Sequence, residues 1–372
     1  MSNSARANPV AQREATLLAS YAMHSVDTAG RKHPEITHLF RGPFQRDRDR
    51  ILHSAAFRRL SGKTQVFTGQ GDYHRTRLTH TMEVASIART IGRTLRLNED
   101  LIEALAILHD IGHPPFGHAG EEVLNEVLKE HGGFSHNRFA LTLVEELEQR
   151  YPHFPGLNLT SEVLGGQHRR VDKSASAKSL PLLEVQVVDE ADSIAYNAHD
   201  VDDALELGWL ELDELLELPM VATCLQSVTQ KYGTIDGVAL RRALVHELVN
   251  LQVAHLIYES EQNLMDKSGM SSREVREAGV KLGIEGPLAV QKKGLEKFLY
   301  QRLYRHKDLV EVRQASQKKV KTLVQLFVDE PSKLPATFRS RCQTNGSLVS
   351  VTDYVAGMTD QFFLQTYREI AG

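Results

Sequence analysis

Histidines are concentrated in one part of this chain. The sequence contains 17 histidines, and nine of them lie between His74 and His168. Imidazole is the commonest metal ligand in proteins and the usual acid or base near neutral pH. The concentration therefore predicts a metal-dependent or acid–base site built from this region.

The centre of the pattern is an adjacent pair, His109 and Asp110. His80 precedes the pair by 29 residues, and Asp192 follows it by 82 residues. If the pair lies at a helix end, a histidine and an aspartate from two other helices can complete a site of two imidazoles and two carboxylates. Such mixed ligands suit Mn²⁺, Fe²⁺, Ni²⁺, Co²⁺ or Zn²⁺, and Mg²⁺ less comfortably. They also leave positions open for water and a phosphate oxygen.

A histidine next to an aspartate is weak evidence by itself, because the dipeptide is common by chance. The surrounding string HDIGHPPFGHAGE places three histidines within ten residues around a proline break, which helix packing alone does not require. Asp192, Tyr196 and Asp200 recur at i, i+4 and i+8 and so share one helix face. A solvated acidic face is the simpler interpretation of that stripe, but Tyr196 is unusual on such a face.

Helices must position these residues, because apolar side chains recur at helical spacing and strand-like alternation is almost absent. Asn98 can cap a helix that carries Glu99 and Asp100 in its first turn, and Pro114 and Pro115 interrupt the chain after it. The predicted helices are 79–97, 99–110, 119–130, 138–150, 182–207, 236–263, 288–303, 308–329 and 351–370. The predicted loops are 152–160, 169–181, 266–287 and 331–347, and residues 65–75 form a small hairpin at most.

The composition indicates a soluble globular protein, with 41% hydrophobic and 25% charged residues. A net charge of −4 provides no global basic field, so nucleic acid is not indicated as a partner, although a local basic patch would be compatible with one. No segment is apolar enough for a signal peptide or a membrane span, and Cys224 and Cys342 lie too far apart in sequence to suggest a disulfide framework. We therefore expect a cytoplasmic protein with no membrane partner.

The strings that carry the chemistry also resemble a known family. They are RDRDRILHSAAFRRL, KTQVF, TRLTHTMEV, HDIGHPPFGHAGE, ADSIAYNAHD, YRH and DYVAGMTD. In this order they are similar to the shorter, dGTPase-like branch of the deoxyguanosinetriphosphate triphosphohydrolases within the HD superfamily. The resemblance runs from about Arg41 to Tyr367. It implies an all-α fold, with an HD-domain helical core and additional C-terminal helices.

The domain organisation expected from this resemblance has three parts. Residues 1–45 form an N-terminal arm, 46–210 form the metal-dependent phosphohydrolase core, and 211–372 form a C-terminal helical region packed on the core. The activity it implies is cleavage of a deoxynucleoside triphosphate, dGTP or several dNTPs, into deoxynucleoside and inorganic triphosphate. Water attacks the α-phosphorus in that reaction.

The resemblance also assigns residues. The implied metal ligands are His80, His109, Asp110 and Asp192. The implied substrate contacts are Gln65 near the deoxyribose and base, Arg77 on a phosphate, Tyr196 near the sugar and phosphates, Asp200 at the 3′-hydroxyl, and Arg305 on the triphosphate oxygens. One departure is Ser193, because some relatives place a charged residue for the phosphates at that position.

Three histidines match family residues around the α-phosphate: His113, His118 and His136. Glu121 lies one helical turn after His118 and could orient its ring and raise its pKa. The departing 5′-oxygen is a poor leaving group and needs a proton donor. We expect His118 with Glu121 to be that acid, and His136 is the second choice.

Two further expectations follow from the family: an even-numbered homo-oligomer and a second dNTP acting as an allosteric effector. Two other functions stay open. The same metal site could serve an HD-type phosphohydrolase that acts on another nucleotide phosphoester, or the chain could be a non-catalytic nucleotide sensor. The base preference and the physiological metal are also open.

Overall fold

The fold is helical, in agreement with the sequence. The computed structural model of the chain describes residues 9–65, 75–172 and 180–371. Within these ranges there is no strand, and only isolated β-bridges occur, such as the one between Thr64 and Thr76. The hairpin considered for 65–75, and with it His74, lies largely outside the described residues.

The first half of the chain supplies the helices around the cavity described below. They are α1 (Pro9–Leu17), α2 (Pro43–Leu52), α3 (Ala55–Arg59), α4 (Arg77–Thr94), α5 (Glu99–Leu108), α6 (His118–Val127), α7 (His136–Thr142), α8 (Ser161–Val171) and α9 (Leu183–Glu206). A π-helical turn, Leu143–Leu147, continues α7.

The second half adds further helices. They are α10 (Leu212–Leu216), α11 (Pro219–Tyr232), α12 (Gly237–Leu264), α13 (Ser272–Glu277), α14 (Gly286–Arg302), α15 (Lys307–Asp329), α16 (Ala336–Asn345), α17 (Ser347–Ala356) and α18 (Asp360–Ala371). None of the helices in the described ranges is long and apolar enough to cross a membrane.

The centre of the fold is α5, which packs against α2, α4 and α9. Its apolar residues are buried on every side, from Leu101 to Leu108, as expected for a helix enclosed by others. The side chain of Asn98 accepts a hydrogen bond from the backbone of Leu101 and caps the helix start as predicted. Because α5 runs through the core, it ends with His109 and Asp110 inside the protein.

The C-terminal helices pack on this core in two places. Helix α15 packs against α6 and is joined by α17 and α18. Helices α11, α12 and α14 form a second apolar cluster with the C-terminal end of α9, centred on residues such as Val201 and Met220. The boundaries expected near residues 45 and 210 stay predictions, since α9 contributes to both apolar clusters without interruption.

Several local predictions were wrong. The predicted loop 331–347 contains α16, the predicted loop 266–287 contains α13, and the helix predicted over 351–370 is broken between Ala356 and Asp360. Helices α1, α3, α8, α10 and α11 were not predicted as helices. Helix α16 buries none of its residues fully and meets the core through Phe338 and Cys342, so its sequence carries too short an apolar pattern for a helix to be predicted.

Candidate active site and metal centre

A cavity of about 590 Å³ lies where α4, α6, α7, α8 and α9 meet the end of α5. This volume suits a small-molecule ligand. The described residues that line it are Gln65, Arg77, His80, His109, Asp110, His113, His118, His136, Asn137, Arg169, Arg170, Pro181, Asp189, Asp192, Ser193 and Tyr196. Most residues predicted to do chemistry therefore share one cavity.

The four predicted metal ligands come together from three segments of the chain. Ligand atoms of His80, His109 and Asp110 all lie within 4.8 Å of one another. Asp192 approaches from α9, with its Oδ1 3.1 Å from Nε2 of His80 and 3.6 Å from Nε2 of His109. His80, His109 and Asp110 are buried, and the Asp192 side chain is 38% exposed towards the cavity that all four line. A cation there would meet nitrogen and oxygen donors.

The state of His109 fits a metal ligand. Its Nδ1 lies 2.5 Å from the carbonyl oxygen of Ala106, and a carbonyl can only accept, so Nδ1 carries the proton. Its Nε2 is buried and has no hydrogen-bond partner among the described residues. Buried polar atoms in native proteins are almost always satisfied, so this lone pair fits a divalent cation. Imidazole and carboxylate donors suit the transition metals named above.

Asp110 is held from two sides besides the metal centre. Arg77 Nη1 donates to one carboxylate oxygen at 2.9 Å, and His113 Nδ1 lies 2.8 Å from the other. Burial alone would raise the pKa of Asp110, but Arg77 and His113 outweigh it and hold the pKa well below the usual range. Arg77 also donates to the backbone oxygen of Gln65 at 3.3 Å, so it links the metal centre to the side of the cavity on which Gln65 lies.

The three histidines predicted around the α-phosphate form one cluster with Glu121. One Glu121 oxygen lies 3.1 Å from Nδ1 of His118, and the other lies 2.7 Å from Nδ1 of His136. The rings of His113 and His136 stack with centroids 3.8 Å apart. Burial raises the pKa of Glu121, yet the two histidine contacts outweigh it and hold the pKa far below the usual range. Glu121 is thus an anion that supports both candidate acids.

His113 differs from its neighbours. It is 4% exposed, and burial, followed by the nearby Arg77, lowers its pKa well below the usual range. A neutral His113 that donates from Nδ1 to Asp110 is suited to orienting that carboxylate. The side chain of His118 is 59% exposed and lines the cavity, while its Nδ1 contacts Glu121.

Two glycines allow this close assembly. A Cβ at Gly112 would lie 2.0 Å from the carbonyl oxygen of His136, so only glycine lets the turn after α5 rest on the start of α7. Gly117 has φ +55°, and a Cβ there would lie 2.7 Å from Arg77 Nη2. These contacts bring the rings of His113 and His136 together and leave room for the guanidinium of Arg77.

The loop that carries these histidines is also tied to the C-terminal helices. The buried ammonium of Lys63 donates to the carbonyl oxygens of His113 and Ala356. The carboxylate of Asp360 accepts a hydrogen bond from the backbone N–H of Phe116 at 3.0 Å. The junction of α17 and α18 therefore helps to shape the cavity, although it contributes no lining residue.

The sugar side of the predicted site is arranged differently from the expectation. Tyr196 lines the cavity, and its ring lies parallel to that of Tyr304 at 6.2 Å. Asp200 does not line the cavity; it is 1% exposed and accepts a hydrogen bond from the Tyr304 hydroxyl. Burial raises the pKa of Asp200 to about 8, so this carboxyl is mostly neutral at pH 7. Its contact with a sugar hydroxyl stays a prediction.

Gln65 and Arg305 have different surroundings. Gln65 lines the cavity, and its buried side-chain oxygen has no partner among the described residues. Arg305 is exposed and lies over the ring of Tyr300 at 5.2 Å, away from the lining residues. In the string YRH it is Tyr304, not Arg305, whose side chain reaches Asp200, so the triphosphate contact of Arg305 stays a prediction.

Sequence reasoning missed two arginines at the end of α8. Arg169 and Arg170 both line the cavity, and Arg170 is held by Asp189 at 2.7 Å. Arg169 has no ion pair with the residues that the structure describes. Both were assigned to a loop at 169–181, and the available signal was the adjacent pair of arginines itself.

The chain is similar to known proteins over most of its length. The chain matches the HD domain family over residues 77–197 and the phosphohydrolase-associated domain over residues 283–369. A deoxyguanosinetriphosphate triphosphohydrolase-like protein of Nitrosomonas europaea is 41% identical over 365 residues, covering 95% of this chain and 97% of the relative. Proteins of the same description from Ralstonia pickettii and Leptospira interrogans are 39% and 38% identical; they cover 95% and 96% of this chain, and the matches span 94% and 97% of those relatives.

Proposed function

Because the chain belongs to the deoxyguanosinetriphosphate triphosphohydrolase-like family of HD-domain phosphohydrolases, we propose that it hydrolyses a deoxynucleoside triphosphate to deoxynucleoside and inorganic triphosphate. The observation that carries the proposal is the cavity itself. It has a two-histidine, two-aspartate cluster on one side and two histidines backed by one carboxylate on another. Hydrolysis at phosphorus needs both a site for a cation and a proton donor.

The proposed metal ligands are His80, His109, Asp110 and Asp192, and the proposed cofactor is a divalent ion such as Mn²⁺, Mg²⁺, Ni²⁺, Co²⁺, Fe²⁺ or Zn²⁺. Bound there, the ion supplies Lewis acidity to water and to a phosphate oxygen. Arg77 and His113 keep Asp110 ionised and oriented for that role. Arg77 is proposed to lie beside the reacting phosphate. The guanidinium N–H groups that do not bind Asp110 can donate to phosphate oxygens there.

The proposed reaction breaks the bond between the α-phosphorus and the 5′-oxygen. A water molecule adds to phosphorus, and the 5′-oxygen leaves with a proton. His118 is the proposed donor because it lines the cavity and Glu121 lies 3.1 Å behind it. His136 shares the same carboxylate at 2.7 Å and is the second candidate. His113 has the weaker claim, because burial favours its neutral form.

Substrate binding is proposed to divide between a polyphosphate end and a nucleoside end. Arg169, which has no ion pair with the described residues, and Arg77, whose guanidinium keeps N–H groups besides the one that it donates to Asp110, are the proposed contacts for phosphate oxygens. Arg170 is held by Asp189. Gln65 and Tyr196 line the remaining wall and are the proposed contacts for the deoxynucleoside. Asp200, behind Tyr196, is proposed to act on the 3′-hydroxyl when the substrate displaces the Tyr304 contact.

The test is an anion-exchange assay of the purified protein with Mn²⁺ or Mg²⁺ and each dNTP, first singly and then as a mixture. We expect deoxynucleoside and triphosphate in equal amounts. A higher rate with the mixture than with any single dNTP would support an activating second dNTP, and the oligomeric state in each condition would test the proposed even-numbered assembly. Release of orthophosphate would favour an HD phosphohydrolase acting on another phosphoester.

The site assignment is tested separately by His109→Ala and Asp110→Ala. Each removes one proposed metal ligand, so turnover should be abolished while the helical circular-dichroism signal is retained. Turnover equal to that of the unaltered protein in either variant would contradict the assignment. Asp200→Ala should weaken the preference for deoxynucleotides over ribonucleotides, and an unchanged preference would remove its proposed role.

A further inference from the structure

The two ring nitrogens of His80 face different surroundings. Nε2 points to the candidate metal centre, 3.1 Å from Oδ1 of Asp192. Nδ1 points the other way and lies 3.2 Å from Nδ1 of His199. His80 is 1% exposed and His199 is 7% exposed, so the two imidazoles meet inside the protein. Their ring planes cross at 80°, with one nitrogen edge facing the other.

Two nitrogens at this distance share one proton, because one must donate and the other must accept. The second nitrogen of His199, Nε2, lies 2.5 Å from Oε2 of Glu83. An ionised carboxylate accepts and cannot donate, so the proton on that contact belongs to His199 Nε2. In a neutral His199, Nδ1 is then the acceptor and His80 Nδ1 is the donor. His80 Nε2 lies 3.1 Å from Oδ1 of Asp192 and would donate to that carboxylate without a cation. When both atoms bind a cation as proposed, Nε2 must give up its proton, and Nδ1 is the nitrogen of His80 that keeps one.

We propose that His199 and Glu83 are positioning residues that hold His80 in the tautomer able to bind a divalent cation. The inference rests on the proposed role of His80 as a metal ligand. Histidine ligands generally donate their outer N–H to a fixed acceptor, which selects the tautomer and the ring orientation. Here the acceptor is another imidazole, which is itself oriented by a carboxylate.

The placement of these residues on their helices explains how the arrangement is built. Glu83 follows His80 by three residues on α4, and His199 follows Asp192 by seven residues on α9. Spacings of three and seven residues return to the same helix face. Each helix therefore supplies one proposed ligand and one supporting residue, and the close packing of α4 and α9 joins the four side chains.

Glu83 is itself held in place by a cation. Arg75 Nε lies 3.3 Å from the same Glu83 oxygen, and Arg75 Nη1 lies 2.6 Å from Asp203 on α9. The chain of contacts thus runs from α9 through Arg75 and Glu83 to His199, which lies on α9 again. Such a closed set of charged contacts leaves His199 little freedom to turn its ring away from His80.

Two amide substitutions separate the hydrogen bond to His80 from the packing of the ring. In His199→Asn the side-chain oxygen can occupy the place of Nδ1 and accept from His80. In His199→Gln the amide reaches the place of Nε2, beside Glu83, and offers no acceptor to His80. The matched control is His246→Gln, at an exposed position on α12.

The measurement is the affinity of the chelator-stripped full chain for Mn²⁺ by isothermal titration calorimetry, with circular dichroism and thermal unfolding to check the fold. We expect His199→Gln to weaken Mn²⁺ binding by about 10- to 100-fold, the usual effect of losing such a partner. His199→Asn should retain most of the affinity, and His246→Gln should retain all of it. Unchanged affinity in His199→Gln, or an equal loss in the Asn and Gln variants, overturns the proposal.

A parallel titration of His109→Ala separates this inference from the metal centre itself. If His109→Ala loses Mn²⁺ binding while His199→Gln keeps it, the metal centre stands and the positioning role is wrong. If His109→Ala binds Mn²⁺ as tightly as the unaltered protein, the metal centre is misassigned and the inference fails with it.

Discussion

The carboxylate of Asp360, at the start of α18, holds two segments that flank the cavity. One oxygen accepts hydrogen bonds from the backbone N–H of Thr64 at 2.9 Å and from its hydroxyl at 2.6 Å. The other accepts from the backbone N–H of Phe116 at 3.0 Å. Phe116 has φ +60°, a left-handed conformation that non-glycine residues seldom adopt. Its ring also meets Phe363 of α18 edge to face, with centroids 5.1 Å apart.

Asp360→Ala removes all three hydrogen bonds to this carboxylate. A hydrogen bond to a charged group contributes about 1.5–3 kcal/mol, and the three share one acceptor group and do not add fully. We therefore expect the free energy of unfolding to fall by about 3–5 kcal/mol. The left-handed residue Phe116 would lose one of the contacts that keep it in place, so His113 and His118 on either side should shift and kcat should fall at least about tenfold.

Urea unfolding followed by circular dichroism measures the first effect, and the dNTP assay measures the second. Asp360→Asn keeps the shape and one acceptor oxygen, so its loss of stability should be about half as large. Asp266→Ala, at an exposed side chain, should change neither quantity. A loss below about 1 kcal/mol in Asp360→Ala, the value of a single neutral hydrogen bond, would refute the view that α18 holds the loop.

Three further predictions concern the cavity and its support. Glu121→Gln should lower kcat by about 100-fold or more. Adding His118→Ala to that variant should lower kcat little further, because the two residues act as a unit. A double variant whose loss of kcat equals the product of the two single losses would contradict this. Arg169→Ala should raise the KM for a dNTP about tenfold, the effect of losing one charge-assisted phosphate contact. The control is Arg273→Ala, which removes an exposed, ion-paired arginine and should leave KM unchanged. Equal KM values in the two variants would exclude the role of Arg169. Burial raises the pKa of Asp353 from its usual value of 3.8 to about 6, so the folded protein binds this proton more tightly than the unfolded chain does. The free energy of unfolding therefore falls as the pH rises between these two values. Asp353→Asn should then stabilise the protein at pH 7.5 by up to about 3 kcal/mol and leave it unchanged near pH 3; a destabilised variant at pH 7.5 in urea titrations would contradict the sign.

Local chemistry explains how much of the site could be predicted. His109 and Asp110 were placed at a helix end because Pro114 and Pro115 cannot continue the hydrogen-bond ladder. The cap at Asn98 was predicted from the hydrogen-bonding habits of one side chain, and the structure confirms it. These features depend on neighbours within a few residues, so a single sequence contains them.

Other features depend on contacts between distant segments. The sequence could not show that Tyr304 would engage Asp200 from 104 residues away, nor that Arg305, its neighbour, would lie outside the cavity. Helix α16 was missed for a related reason: it buries no residue fully, and its contact with the core is made by Phe338 and Cys342, too few apolar positions for a helical pattern to be recognised.

The sequence by itself determined the helical class, the types of the candidate ligands and the interruption after His109, since periodicity, capping and proline geometry are properties of short segments. Only the tertiary structure decided that Nδ1 of His199 contacts Nδ1 of His80 and that the carboxylate of Asp360 accepts a hydrogen bond from the backbone of Phe116. Those partners are 119 and 244 residues apart in the chain. The packing of α9 on α4, and of α18 against the loop after α5, brings them together, and no local pattern encodes which faces of distant helices will meet.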